Sequence, residues 1–124
     1  RVALGMPGAI NPKTGVACGG VALFDTKTLK ELPTLFPPDA DANAGMEFGY
    51  AVAISGSLLV IGAPGADSTP TDSDNKGAVY VYDLVAKKFI GSNNQELFLD
   101  SERWGQAVAV DGDLAAFSSP ITTG

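Results

Sequence analysis

Apolar positions in this chain come in short runs separated by turn-forming residues. Residues 50–54 are a brief apolar stretch built on alanine, valine and isoleucine; it stops at Ser55-Gly56, and a second run, SLLVIG, fills 57–62. Two β-prone runs joined by a Ser-Gly pair predict a tight hairpin. Pro64 ends the second run, because it has no N–H to give to a ladder. After a polar stretch, AVYVYDL (78–84) alternates Val79 and Val81 with Tyr80 and Tyr82. That pattern predicts a half-buried strand with its aromatic residues on one face. A fourth, weaker strand is predicted within 89–99. Helical periodicity is nearly absent, with only 28–32 able to pass for a turn of helix.

The runs recur. FGYAVAISGSLLVIGAPGA (48–66) returns in worn form as WGQAVAVDGDLAAFSSP (104–120), with Phe48 and Trp104 56 residues apart. At that offset Gly49/Gly105, Ala51/Ala107, Gly56/Gly112, Leu58/Leu114 and Pro64/Pro120 keep step without a gap. The second copy places Asp111-Gly112 at the turn, and both residues tolerate positive φ. Upstream, VALGMPGA (2–9) lies over LVIGAPGA at an offset of 57, and GGVALFD (19–25) lies over 77–83 at 58. The counterpart of the fourth strand falls near 29–36, and LFPPDADANAG (35–45) is a loop before the cycle restarts at Phe48. The unit is therefore four antiparallel strands in roughly 56 residues. Recurrence at that spacing predicts β-propeller blades; a plain sandwich would not need the same Gly and Pro positions in register.

On this division, residues 1–45 supply strands two to four of one blade, 46–101 a complete blade, and 102–124 the start of another, all in one propeller domain. The chain of 124 residues is 45% hydrophobic, enough to supply a core. Its start, RVALGMPG, already lies inside a repeat, so the true N-terminus is expected to be absent. An isolated set of blades would leave apolar faces and strand edges open. Further blades, from the same chain or from other copies, are the expected partners.

Charge and chemistry narrow the function. Eight Lys and Arg against 14 Asp and Glu give a net charge of −6. That acidity, without basic clusters, argues against nucleic acid. No window is apolar enough for membrane insertion. There is no histidine, which removes the commonest general base and excludes Ser-His-Asp and Cys-His sets within these residues. Acidic pairs such as Asp39/Asp41 and Asp111/Asp113 fall where loops and turns place acidic residues anyway. The single cysteine, Cys18, reads as a small buried strand-entry residue.

Phe48-Gly49, then Gly62-Ala63-Pro64, then GAVYVY (77–82) together resemble the FG-GAP repeat of integrin-α-type β-propellers. Trp104-Gly105 keeps the aromatic-Gly start, while Ser118-Ser119-Pro120 and Gly5-Met6-Pro7 stand where Gly-Ala-Pro would. The resemblance implies an all-β propeller, usually of seven blades, in which these motif residues are structural: the aromatic is buried between blades, and the glycine after it lets a neighbouring backbone approach. Calcium-binding members carry an Asp-rich D-x-D-x-D-G loop between the first two strands. Here that connection is only Ser55-Gly56 or Asp111-Gly112, so the usual site does not carry over.

A different carboxylate cluster, Asp67, Asp72 and Asp74, lies one connection later, a candidate Ca²⁺ site weighed against a solvated loop of turn formers. Lys76 falls where a third ligand would be expected. Ser68, Thr69, Thr71, Ser73 and Asn75 on the same stretch form a candidate binding loop whose composition also suits O-glycosylation. No catalytic set and no cofactor motif emerges. The resemblance therefore implies a non-catalytic, extracellular or cell-surface propeller serving adhesion, protein–protein interaction or structural assembly, with an extracellular protein as partner. The alternative is the accessory propeller of a secreted hydrolase, of the glycosylphosphatidylinositol-specific phospholipase kind. A glycan-binding propeller would need exposed aromatic platforms in the loops, and none is predicted there.

Overall fold

In a computed structural model, described for residues 1–38, 42–66, 77–93, 101–102, 105, 107–112, 114–117 and 121–122, the chain is all-β, with no helix among those residues. The first sheet runs β1 (Val2–Met6), β2 (Gly20–Asp25) and β3 (Lys30–Leu35). The second is a four-stranded antiparallel meander of β4 (Ala51–Ser55), β5 (Leu58–Ala63), β6 (Ala78–Asp83) and β7 (Lys88–Asn93). Two short pairs follow, β8 (Ser101–Glu102) with β11 (Ile121–Thr122) and β9 (Val108–Asp111) with β10 (Leu114–Phe117). The meander is the blade of a β-propeller; β1, β2 and β3 stand where its last three strands would, and β9 and β10 where its first two would.

The elements follow from local chemistry, with three differences from expectation. Register pairs Ser55 with Leu58, so the two-residue turn is Gly56-Ser57, with Gly56 alone at positive φ (57°). Glycine in the first central position followed by an ordinary residue is the II′ pattern, and Ser55 is the last strand residue. Residues 28–32 form a turn and the start of β3 rather than helix. The fourth strand of the blade begins at Lys88 and is assigned to Asn93. Pro33 sits in β3 at the edge of its sheet, where the register with β2 shifts. An outer edge and a bulge are the two places where a strand tolerates a missing N–H. The register of β6 with β7 shifts too, between Val81 and Tyr82.

The core lies between the first two sheets. Leu59 and Ile61 of β5 pair with Tyr82 and Tyr80 of β6, so all four share one face. They pack with Val21 and Leu23 from β2 and with Cys18, Met46 and Phe48 from the connections. Strand β6 is more enclosed than half-buried: Val79 and Tyr80, on opposite faces, are both buried. Alternation of valine with tyrosine is apolar on both sides, which suits a strand covered on both faces.

Candidate interaction surface: the crossover end and its seams

Antiparallel strands put successive connections at opposite ends of the sheets. The β2–β3, β4–β5 and β6–β7 turns lie at one end; the loop 7–19, the crossover 36–50 and the connection 64–77 leave from the other. That crossover end is stitched together by backbone. The Phe48 N–H donates to the Cys18 carbonyl at 3.0 Å and the Gly45 N–H to Ala17 at 3.1 Å, tying the crossover to the first sheet's loop. On its other side, the Gly65 N–H donates to the Met46 carbonyl at 3.0 Å. One repeat later the pairing of Ile121 with Glu102 occupies the same place. The bond from Gly19 N–H to Ala9 (2.9 Å) likewise returns as Gly77 to Ala66 (2.8 Å).

Between blades the backbones touch. The Gly49 N–H donates to the Gly62 carbonyl of its own blade at 3.0 Å, while the Gly49 carbonyl oxygen lies where a Cβ on Gly5 would stand. The next seam repeats this: a Cβ on Gly62 would collide with the carbonyl oxygen of Gly105. The aromatic-Gly glycine of one blade thus rests on the Gly-x-Pro glycine of the blade before it. Phe48 is fully buried and meets Tyr80 edge-on at 5.3 Å and Phe89 at 6.2 Å. Edge-to-face packing at these separations adds about 0.5–1.5 kcal/mol per pair beyond burial.

Of the singled-out residues, Phe48, Gly49, Gly62, Ala63, Pro64 and Gly105 therefore meet in or beside these seams. Trp104 and Pro120 lie outside the described residues. So do Asp67, Asp72 and Asp74, and Ser68, Thr69, Thr71, Ser73 and Asn75. Their connection leaves after Ala66 and returns at Gly77. Among the described residues no group of three or more His, Cys, Asp or Glu could hold a metal ion.

Three features were not anticipated from sequence. Tyr50, placed there in an apolar run, precedes β4 and is 43% exposed, an aromatic side chain open at the crossover end. Asn11 is buried, its Oδ1 accepting the Lys13 N–H at 2.9 Å, so that it shapes the 7–19 loop from within. At the opposite end, Asp25 Oδ1 accepts the N–H groups of Lys27 (2.8 Å) and Thr28 (3.3 Å). Asp83 repeats this with Val85 (2.8 Å) and Ala86 (3.0 Å). Bonds from the Lys27 and then the Thr28 N–H hold the Asp25 carboxyl below its ordinary value; those from Ala86 and then Val85 do the same for Asp83. The signal was present as an aspartate ending the third strand at the 58-residue offset, followed four residues on by left-handed Leu29 (φ 59°) and Lys87 (φ 57°).

Compared with known proteins, residues 35–82 match the family model for the FG-GAP repeat, a span that includes the crossover, both motifs and β6 as far as Tyr82. No curated protein matches the chain.

Proposed function

Because residues 35–82 match the family model for the FG-GAP repeat, we propose that the protein is a non-catalytic β-propeller that binds other proteins outside the cell or at its surface, in adhesion or in building a larger assembly. One observation carries the assembly reading. Val2 and Leu4 on β1 are 50% and 57% exposed, whereas Leu59 and Ile61, their counterparts one repeat later, are fully buried against the neighbouring blade. A blade of this kind buries its faces only against others, so the face at β1 takes a further blade, from the same polypeptide or another copy. The crossover end is the binding surface on this reading. It gathers three connections on a stitched backbone, and Ile10 and Tyr50 are exposed there. Loops on a rigid scaffold are where recognition concentrates.

The test has two arms. Intact cells are treated with a membrane-impermeant biotin reagent, which should label the protein without lysis; labelling only after lysis overturns the exterior location. In parallel, residues 67–76 are replaced by a Gly/Ser segment of equal length. Cross-linking to the native partner should disappear while the melting temperature holds. Unchanged cross-linking would place binding elsewhere, and turnover of an ester or phosphodiester by the purified protein would end the non-catalytic reading.

A further inference from the structure

A cleft of about 250 Å³ opens at the hairpin end, on the seam between the first two blades and away from the crossover end. Leu23, Leu32, Pro33 and Leu84 make its apolar floor, with the Tyr82 side chain beside them. Arg1, Asp25 and Lys87 stand at the same cleft. Asp25 is already engaged by two turn N–H groups and by the nearby charge of Arg1, which leaves Lys87 as the lining cation able to meet a ligand's charge.

The two turns around it are unlike the rest of the chain. In a chain of net charge −6, these turns and the strand ends beside them carry Lys27, Lys30, Lys87 and Lys88 on exposed positions, against Asp25, Glu31 and Asp83. They also expose Leu29 (86%) and Val85 (74%). The left-handed backbone at Leu29 and Lys87 would suit glycine at less cost. The turn geometry demands that conformation but not these long side chains. Exposed apolar groups flanking a concave apolar floor, with cations around it, mark a docking surface.

We propose that this cleft receives an apolar side chain from an acidic peptide segment of a partner protein, with Lys87 meeting a carboxylate beside that side chain. The site is separate from the crossover surface and stands or falls independently of it. A concave floor favours an inserted side chain over a flat anionic membrane, which protruding tips would suit better.

The probe is acetyl-Asp-Asp-Leu-Asp-Asp-amide, titrated into ¹⁵N-labelled intact protein, with the Ser-for-Leu peptide and the Lys-for-Asp peptide as controls. The expected result is saturable shifts at the amides of Leu32, Leu84 and Lys87 with the first peptide, weaker with the second and absent with the third. Lys87→Glu should weaken binding about tenfold. Lys87→Gly removes the charge while relaxing the left-handed backbone, so it should lose affinity in a protein at least as stable as the parent. No saturable shifts up to millimolar peptide, equal binding of the Lys peptide, or Lys87-dependent binding to phosphatidylserine vesicles without peptide binding would each overturn the proposal.

Discussion

Replacing Gly62 by alanine tests the blade-to-blade contact more directly than any other single change. A methyl there would stand 2.7 Å from the Gly105 carbonyl carbon and 3.1 Å from its Cα, and closer still to the carbonyl oxygen. Carbon–carbon contact is optimal at about 3.5–4.0 Å, so one of the two backbones must move, and neither can answer by changing rotamer. Overpacking of this kind costs about 1–3 kcal/mol, and a backbone wall puts it at the upper end. Against that, alanine in a strand gains about 0.5–1 kcal/mol over glycine. The net is a loss of about 2 kcal/mol, roughly 30-fold in the folding constant.

Urea unfolding followed by fluorescence of the single tryptophan, Trp104, next in sequence to the contacted glycine, reads this directly. With a slope of about 2 kcal/mol per molar, the midpoint should fall by about 1 M. Two other glycines separate contact from strain. A Cβ on Gly8 meets nothing within 4 Å, so Gly8→Ala should be neutral or stabilising by up to about 1 kcal/mol. Gly56 is equally open but sits at φ 57°, so Gly56→Ala should lose about 1 kcal/mol from strain alone. A Gly62→Ala midpoint at or above wild type, or a Gly8→Ala loss as large, would refute the close-approach reasoning.

Phe48→Ala should cost about 3–5 kcal/mol, and a calorimetric loss under about 1 kcal/mol would mean its burial is not what closes the seam. Leu29→Gly, at an exposed left-handed position, should stabilise by up to about 1 kcal/mol; a lower urea midpoint would contradict the strain assigned there. For Asp25 and Asp83 the folded carboxyls titrate below the ordinary 3.8. Their contribution is therefore complete above that value and is lost as pH falls through the lower folded one. The double variant Asp25→Asn/Asp83→Asn keeps an acceptor without the charge, so its stability should fall less steeply with acid over that window; equal slopes for variant and parent would sink the assignment.

Much of the fold was legible because it repeats. A strand boundary that is doubtful once becomes firm when Pro64 and Pro120, or Gly56 and Gly112, stand at one offset. What escaped the sequence escaped for local reasons. The hairpin turn was read one residue early, since serine or aspartate before glycine suits a turn position as well as a strand end. Burial of β6 was underestimated because valine alternating with tyrosine looks like two faces when both are apolar. Asp25 and Asp83 were read as strand ends, since nothing in a lone aspartate announces that its Oδ1 will organise the next turn. Tyr50 was assigned by its apolar neighbours, and only the start of β4 at Ala51 shows that it precedes the sheet.

The way the repeats have diverged follows from what kind of contact each position makes. Ala22 stands where Tyr80 stands one repeat later, and both are buried; a side-chain contact tolerates that exchange because neighbouring volumes can compensate, as Phe48 and Phe89 do around the Tyr80 ring. At Gly5/Gly49 and Gly62/Gly105 the contact is backbone on backbone, and no neighbour can be trimmed to admit a methyl. Aliphatic and aromatic positions can therefore drift while those glycines stay. By the same logic Ala63 can become Met6 in the other copy, since only the residue before it faces a carbonyl. A repeat held by main-chain contact between blades leaves its connections free to vary without disturbing the seams beneath them.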